Sequence, residues 1–130
     1  MKILIADDSI LILDRLQKML EQIGQVEVVA SLDNGTDALE ALRTLNPDMA
    51  IIDIRMPGLT GLEVLNAYRK ENKSVIFIIL TFHEEGYLKK LAFQSGTNYF
   101  FNKADDFGKI SQVVAELCEN KLELLNNQKK

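Results

Sequence analysis

The sequence predicts a doubly wound α/β sandwich, one parallel sheet of five strands covered by helices on both faces. Two observations lead there. The runs Met49–Ile52 and Val75–Leu80 are apolar without polar alternation, as strands are when both faces are covered. Short apolar runs also alternate strictly with stretches of helical period through five βα units, a pattern that implies right-handed crossovers. For five strands the natural arrangement is the flavodoxin-like order 2-1-3-4-5, a three-layer (βα)5 sandwich.

The strand candidates are Lys2–Ala6, Val26–Ser31, Met49–Asp53, Val75–Thr81 and Asn98–Asn102. The first helix, about Ser9–Gln22, carries Ile12, Leu16, Met19 and Ile23 on one face and stops at Gly24, a residue suited to helix ends. The second, about Thr36–Leu45, presents Ala38, Leu39, Ala41, Leu42 and Leu45, and Asn46-Pro47 closes it. The third, about Leu62–Lys70, presents Leu62, Leu65 and Tyr68. The fourth, about Tyr87–Ser95, presents Leu88, Leu91 and Ala92 ahead of Gly96. The fifth starts near Asp105 or Asp106, either a suitable N-cap, and carries Ile110, Val113, Val114 and Leu117.

The chain of 130 residues fits one domain, residues 1–125, followed by a polar tail, residues 126–130. A net charge of −4 speaks against a non-specific grip on nucleic acid or an anionic membrane. Cys118 is the single cysteine, which excludes an internal disulfide framework and reads as a buried, inert thiol. No signal peptide precedes the first strand, and no apolar run approaches the roughly 20 residues of a membrane span. The expected compartment is the cytoplasm.

In such a sheet a site lies beyond the carboxyl ends of the strands, at the switch point between the first and third. Strand one ends in Asp7-Asp8, strand three in Asp53, strand four in Thr81 and strand five near Lys103. Each residue alone reads as a cap, a turn or a solvated charge. All five at one end of the correct strands is harder to assign to capping. Three converging carboxylates raise each other's pKa unless a cation neutralises them. Oxygen-only ligands suit a hard ion such as Mg²⁺, and no histidine or cysteine is nearby to favour zinc. One carboxylate could then attack a phosphoryl group while ammonium and hydroxyl balance its oxygens. Asp53, central in strand order, is the natural nucleophile.

Asp7-Asp8, the run Ile51-Ile52-Asp53-Ile54-Arg55-Met56-Pro57-Gly58-Leu59-Thr60-Gly61, Thr81 and Lys103 together resemble the receiver domain of two-component response regulators. The resemblance covers essentially the whole chain in order and spacing. It implies a phosphoacceptor signalling domain, not an enzyme beyond its own phosphorylation and dephosphorylation. Asp53 would accept a phosphoryl group from a histidine kinase's phosphohistidine, from a phosphotransfer protein or from a small donor. Asp8 would bind Mg²⁺ directly, Asp7 chiefly through water, with the backbone carbonyl of Arg55 as a further ligand. Lys103 would pair with one phosphate oxygen and Thr81 would move to hydrogen-bond another. Phe100 matches the aromatic whose rotamer reports that movement, with a plain sheet-edge aromatic as its simpler reading. Pro57-Gly58 and Gly61 would act through the backbone only.

Three departures stand out. Lys103 is followed by Ala104 where many receivers have a proline with a cis bond, and a non-proline cis peptide costs about 2.5–4 kcal/mol, so a trans bond is expected. Phe82 follows Thr81 where a small residue is usual, which would narrow the approach to Asp53. Arg55 and His83 occupy positions that tune dephosphorylation in the family, and basic residues there are compatible with a long-lived phosphoryl group. Ordinary exposed side chains are the alternative for both.

The turn and the non-proline after the lysine are similar to receivers that precede a helix-turn-helix output domain. Either a stand-alone regulator or an excised receiver fits. Late apolar residues of helix five, Leu117, Leu122, Leu124 and Leu125, fit a homodimer seam or a partner groove. Phe82, Tyr87, Phe93 and Phe101 suggest a second apolar face around helix four, with some of them belonging to the core. Among other functions, an aspartyl phosphatase of the haloacid dehalogenase kind wants a second Asp two positions after the nucleophile, where Arg55 stands. A flavin-binding relative would need a Ser/Thr/Gly-rich loop after strand one, where Asp7-Asp8 would repel phosphate. A pseudo-receiver, an interaction module that is never phosphorylated, is opposed by the intact set of five polar residues.

Overall fold

The computed structural model describes residues 1–82 and 86–128, with side chains through Lys121. Its elements alternate strictly: β1 (Lys2–Ala6), α1 (Ile10–Glu21), β2 (Glu27–Leu32), α2 (Gly35–Leu45), β3 (Met49–Ile52), α3 (Gly61–Glu71), β4 (Ile76–Thr81), α4 (Gly86–Gln94), β5 (Tyr99–Asn102) and α5 (Phe107–Gln128). All strand pairs are parallel and the order is β2-β1-β3-β4-β5, as the sequence predicts.

The unbroken apolar runs have a direct cause. Side chains alternate across a strand, so Leu4, Ala6, Ala50, Ile52, Phe77 and Ile79 join α2, α3 and α4 in one core layer. Ile3, Ile5, Met49, Ile51, Ile78 and Leu80 join α1 and α5 in the other. Both faces of the central strands are covered.

Helix bounds follow local caps. Ser9 accepts the Ile12 amide at 3.3 Å and opens α1. Thr60 and Glu63 form a capping box at α3, and Asn46, in the left-handed conformation at φ 45°, ends α2.

Several buried faces differ from expectation. Leu13, Leu16 and Leu20 form the buried seam of α1, with Ile12 and Met19 at its margin. This helix is apolar over more than one face, so the position of the sheet decides. Leu45 and Leu91 are exposed, each lying beyond the arc its helix presents to the sheet. In α5 the seam is Phe107, Ile110, Val114 and Cys118, flanked by Leu117. Phe101 packs in the α1/α5 layer beside Tyr99, ring centroids 5.9 Å apart, and so does not join an apolar face at α4. Strand alternation dictates this, because Phe100 takes the opposite layer. Phe82, Tyr87 and Phe93 are exposed. α5 continues through Gln128, across the first residues of the segment set apart as a tail. The side chains of Leu122, Leu124 and Leu125 lie outside the described residues. No helix among the described residues is long and apolar enough to cross a membrane.

Candidate functional site

The site is built at the carboxyl rim of β1, β3, β4 and β5. Each strand is held in register by its neighbour up to the polar residue at its end. The Asp53 amide donates to Ala6 O at 3.0 Å, the Asp7 amide to Leu32 O at 3.0 Å, and the Lys103 amide to Thr81 O at 2.9 Å. Asp7, Asp8 and Asp53 therefore converge, each offering one carboxylate oxygen within 4.8 Å of the others. Asp7 and Asp53 are buried, whereas Asp8 is exposed. The Lys103 ammonium is 4% exposed and lies 2.5 Å from Asp7 Oδ2 and 3.2 Å from Asp53 Oδ2.

Burial sets the electrostatics. Loss of water pushes the Asp53 carboxyl up to about 6 from its ordinary 3.8, more than the Lys103 ammonium can pull it down, and the Asp7 charge adds to the rise. Asp7 is also raised by burial, against the pull of the adjacent Lys103 ammonium and of the Ser9 amide at 2.9 Å on Oδ1. Asp7 Oδ2 touches the ammonium, yet it accepts no well-directed hydrogen bond from any described residue. Three oxygen donors and a buried oxygen short of a directed partner suit a hard divalent cation.

Asp8, Ser9, Asp53, Arg55, Phe82 and Lys103 line an open cleft of about 270 Å³. Phe82, 58% exposed, stands at its wall with its ring centroid 5.1 Å from Lys103 Nζ. Arg55 is exposed at the same cleft. Thr81 is fully buried at the end of β4, opposite Asn102 in the β5 register. Phe100, half-buried, packs into the α2/α3/α4 layer and lines a separate cavity of about 200 Å³ with Gly86, Lys89, Asn102 and Asp106. His83 lies outside the described residues.

Two glycines make the turn behind Asp53. A Cβ on Gly61 would come within 2.1 Å of the Asp53 carbonyl oxygen, so only glycine lets α3 start against the backbone of Asp53. Gly58 has φ +77°, the left-handed turn that follows Pro57.

The described residues contain no cis peptide bond, so Lys103-Ala104 is trans. The residue that shapes this loop, Asn102, is not among those the sequence singles out. Its Oδ1 accepts the amides of Ala104 at 2.7 Å and Asp105 at 3.1 Å. A polar residue closing an apolar strand, ahead of a loop without proline or glycine, was the available signal. Asp106 serves the same loop, accepting the Asn102 amide on its carboxylate at 3.1 Å.

Comparison with known proteins agrees with this geometry. Residues 3–115 match the family described as "Response regulator receiver domain". The chain is 32% identical over 114 residues to the DNA-binding transcriptional activator EvgA of Escherichia coli K12, covering 88% of this chain and 55% of EvgA. The response regulator GacA of Pseudomonas aeruginosa is 28% identical over 116 residues, covering 89% of this chain and 54% of GacA. The chain thus spans about half the length of these curated relatives. A DNA-binding response regulator of the LuxR family from Staphylococcus aureus superposes with TM-score 0.83 at 28% identity, over 88% of this chain and 96% of the other. With its acidic rim, its buried lysine and the sheet order that brings them together, the chain belongs to the receiver-domain family of two-component response regulators.

Proposed function

We propose that this chain is a phosphorylation-driven switch in which Asp53 accepts a phosphoryl group and a partner reads the altered surface. The observation that carries the reading is a buried Asp53 carboxyl 3.2 Å from the Lys103 ammonium, inside a three-carboxylate cluster. A structural salt bridge would not need the second and third carboxylates, whose repulsion costs stability.

Asp7, Asp8 and Asp53, with the backbone carbonyl of Arg55, would hold Mg²⁺, which when bound supplies positive charge against the phosphoryl oxygens. The remaining steps belong to this chain's own groups. A carboxylate oxygen of Asp53 attacks phosphorus as the donor's P–N bond breaks. The leaving imidazole nitrogen keeps the electron pair and takes a proton from solvent. The Lys103 ammonium pairs with one phosphoryl oxygen and the Thr81 hydroxyl hydrogen-bonds another. Phe100 follows Thr81 in the cavity beneath α4. Phe82 narrows the approach of donor and water, and Arg55 and His83 tune the lifetime of the acyl phosphate.

The added charge of about −1.5 to −2 is large beside the 1–3 kcal/mol of typical coupling between sites. Re-weighting two loop arrangements by one or two decades is enough to recruit or release a partner. The donor is a histidine kinase or phosphotransfer protein. The output is a DNA-binding segment of the kind that EvgA's description names, or a second copy of this domain.

Intact mass after incubation with acetyl phosphate and Mg²⁺ tests this reading. The wild type should gain one phosphoryl group, whereas Asp53→Ala and samples with excess chelator should gain none. No gain in the wild type would leave an interaction module that is never phosphorylated. Turnover of many phosphoesters per molecule would indicate a phosphatase.

A further inference from the structure

We propose that Asn102 is the positioning residue for Lys103, holding the trans Lys103-Ala104 loop in the one path that delivers the ammonium to Asp7 and Asp53. For its rate arm this rests on Asp53 being the phosphoacceptor. The position of the lysine itself does not.

The loop of residues 103–106 contains neither proline nor glycine, and Ala104 and Asp105 are exposed. Packing therefore does not fix its path. Asn102 does so from one buried side chain. Its Oδ1 receives two successive amides, from Ala104 at 2.7 Å and Asp105 at 3.1 Å, which curls the backbone around that oxygen. The far side of the loop is closed by a reciprocal pair. The Asn102 amide donates to Asp106 Oδ2 at 3.1 Å, and the Asp106 amide donates to Asn102 O at 2.9 Å. Asp106 Oδ1 is held in turn by the Lys109 ammonium at 3.0 Å.

The next residue, Phe107, is buried under the Arg15 guanidinium, 3.8 Å from its ring centroid. Upstream, the Lys103 amide is tied to Thr81 O at 2.9 Å. With both ends anchored and the middle curled onto Asn102, the Lys103 side chain is left to run to the carboxylates. A buried asparagine is costly unless its polar atoms are used. Here the acceptor oxygen is used twice, and it is the side-chain group that holds the amides of Ala104 and Asp105.

Two readouts test the clamp in the whole chain. The first is the Lys103 ammonium signal in lysine-selective nitrogen NMR, assigned by its absence in Lys103→Arg. The second is the rate of Asp53 phosphorylation by acetyl phosphate with Mg²⁺. Asn102→Ala should lose the protected ammonium signal and slow the reaction by about ten- to a hundredfold, the usual cost of a misplaced reacting group. Asn102→Asp keeps the acceptor oxygen and should restore both. A lower melting temperature in Asn102→Ala, with the signal and the rate of the folded fraction as in wild type, overturns the proposal.

Should Asn102→Ala fail to fold, amide hydrogen exchange in the wild type decides. Protected Ala104 and Asp105 amides support the clamp, and exchange at the free-peptide rate overturns it. A wild type that takes no phosphoryl group defeats the phosphoacceptor reading. The ammonium signal and amide exchange still judge the clamp.

Discussion

The two ends of the sheet treat polar groups in opposite ways. At the amino ends of β4 and β5 the groups are neutral or singly charged and close on one another. Asn72 Oδ1 accepts the amides of Ser74 and Val75, each at 2.9 Å, while its Nδ2 donates to the Tyr68 hydroxyl at 3.2 Å. Arg69 Nε donates to Gly96 O at 2.9 Å and its Nη2 to Asn98 Oδ1 at 2.9 Å. At the carboxyl ends, three carboxylates cluster, Asp7 and Asp53 share one ammonium, and burial drives both toward protonation. The first end is finished by folding. The second is left short of positive charge, a deficit that a bound cation can answer. A polar cluster that folding completes argues for structure, and one that folding leaves strained argues for a ligand.

Removing the ammonium should widen this contrast most. In Lys103→Met two buried carboxyls lose their common cation, and breaking one partner of a buried pair costs about 3–5 kcal/mol. The sign with pH follows from the raised carboxyls. The folded protein binds protons more tightly than the unfolded chain, so stability falls as pH rises through their range and returns on acidification. Urea titrations at neutral and acidic pH, with and without Mg²⁺, should find the loss largest at neutral pH and reduced by the metal. An equal loss under all four conditions would place Lys103 in an ordinary packing role.

A smaller effect of opposite sign is expected from Asp53→Asn. The folded carboxyl at about 6 against an ordinary 3.8 means that ionised Asp53 opposes folding by an amount on the order of 2–3 kcal/mol. That penalty is absent below about pH 4, grows as pH rises, and is complete above the folded value. Lys103 keeps Asp7 as its partner in the variant, so no unpaired ammonium offsets the gain. Thermal melts across pH should show Asp53→Asn more stable than wild type at neutral pH and equal to it near pH 4. A variant less stable at neutral pH would mean that the Lys103 contact outweighs desolvation.

The charged end was the legible one. Asp7 and Asp53 stand directly after an apolar strand and Thr81 ends one, so the strand pattern that gives the fold also places them on one rim. Lys103 was legible through the same rule at β5. The side on which a helix or strand residue packs was harder to see. In α1 the apolar residues Ile10, Leu11, Ile12, Leu13, Leu16, Met19 and Leu20 cover more than one face, and only contact with the sheet selects Leu13, Leu16 and Leu20. Phe101 could have been placed, since alternation sends Phe100 and Phe101 to opposite layers. Asn102 offered only the weak signal of a polar residue closing an apolar strand, because its role exists only once the loop backbone brings two amides to one oxygen.

The finished end supplies the control with the smallest effect. Asn72→Ala removes the acceptor of two backbone amides and a partner of Tyr68, and Val75 is buried. A buried amide left without its acceptor costs about 1–3 kcal/mol, while water can reach the exposed Ser74. The expected loss is therefore about 1–2 kcal/mol. None of these groups titrates between pH 4 and 8, and none lies at the carboxylate rim. The loss should then be the same at every pH in that range and indifferent to Mg²⁺, with an unchanged rate of phosphorylation by acetyl phosphate. Stability that varied with metal or pH in this variant would show that the two ends communicate through β4. In that case the division between a closed scaffold and an open site would have to be redrawn along that strand.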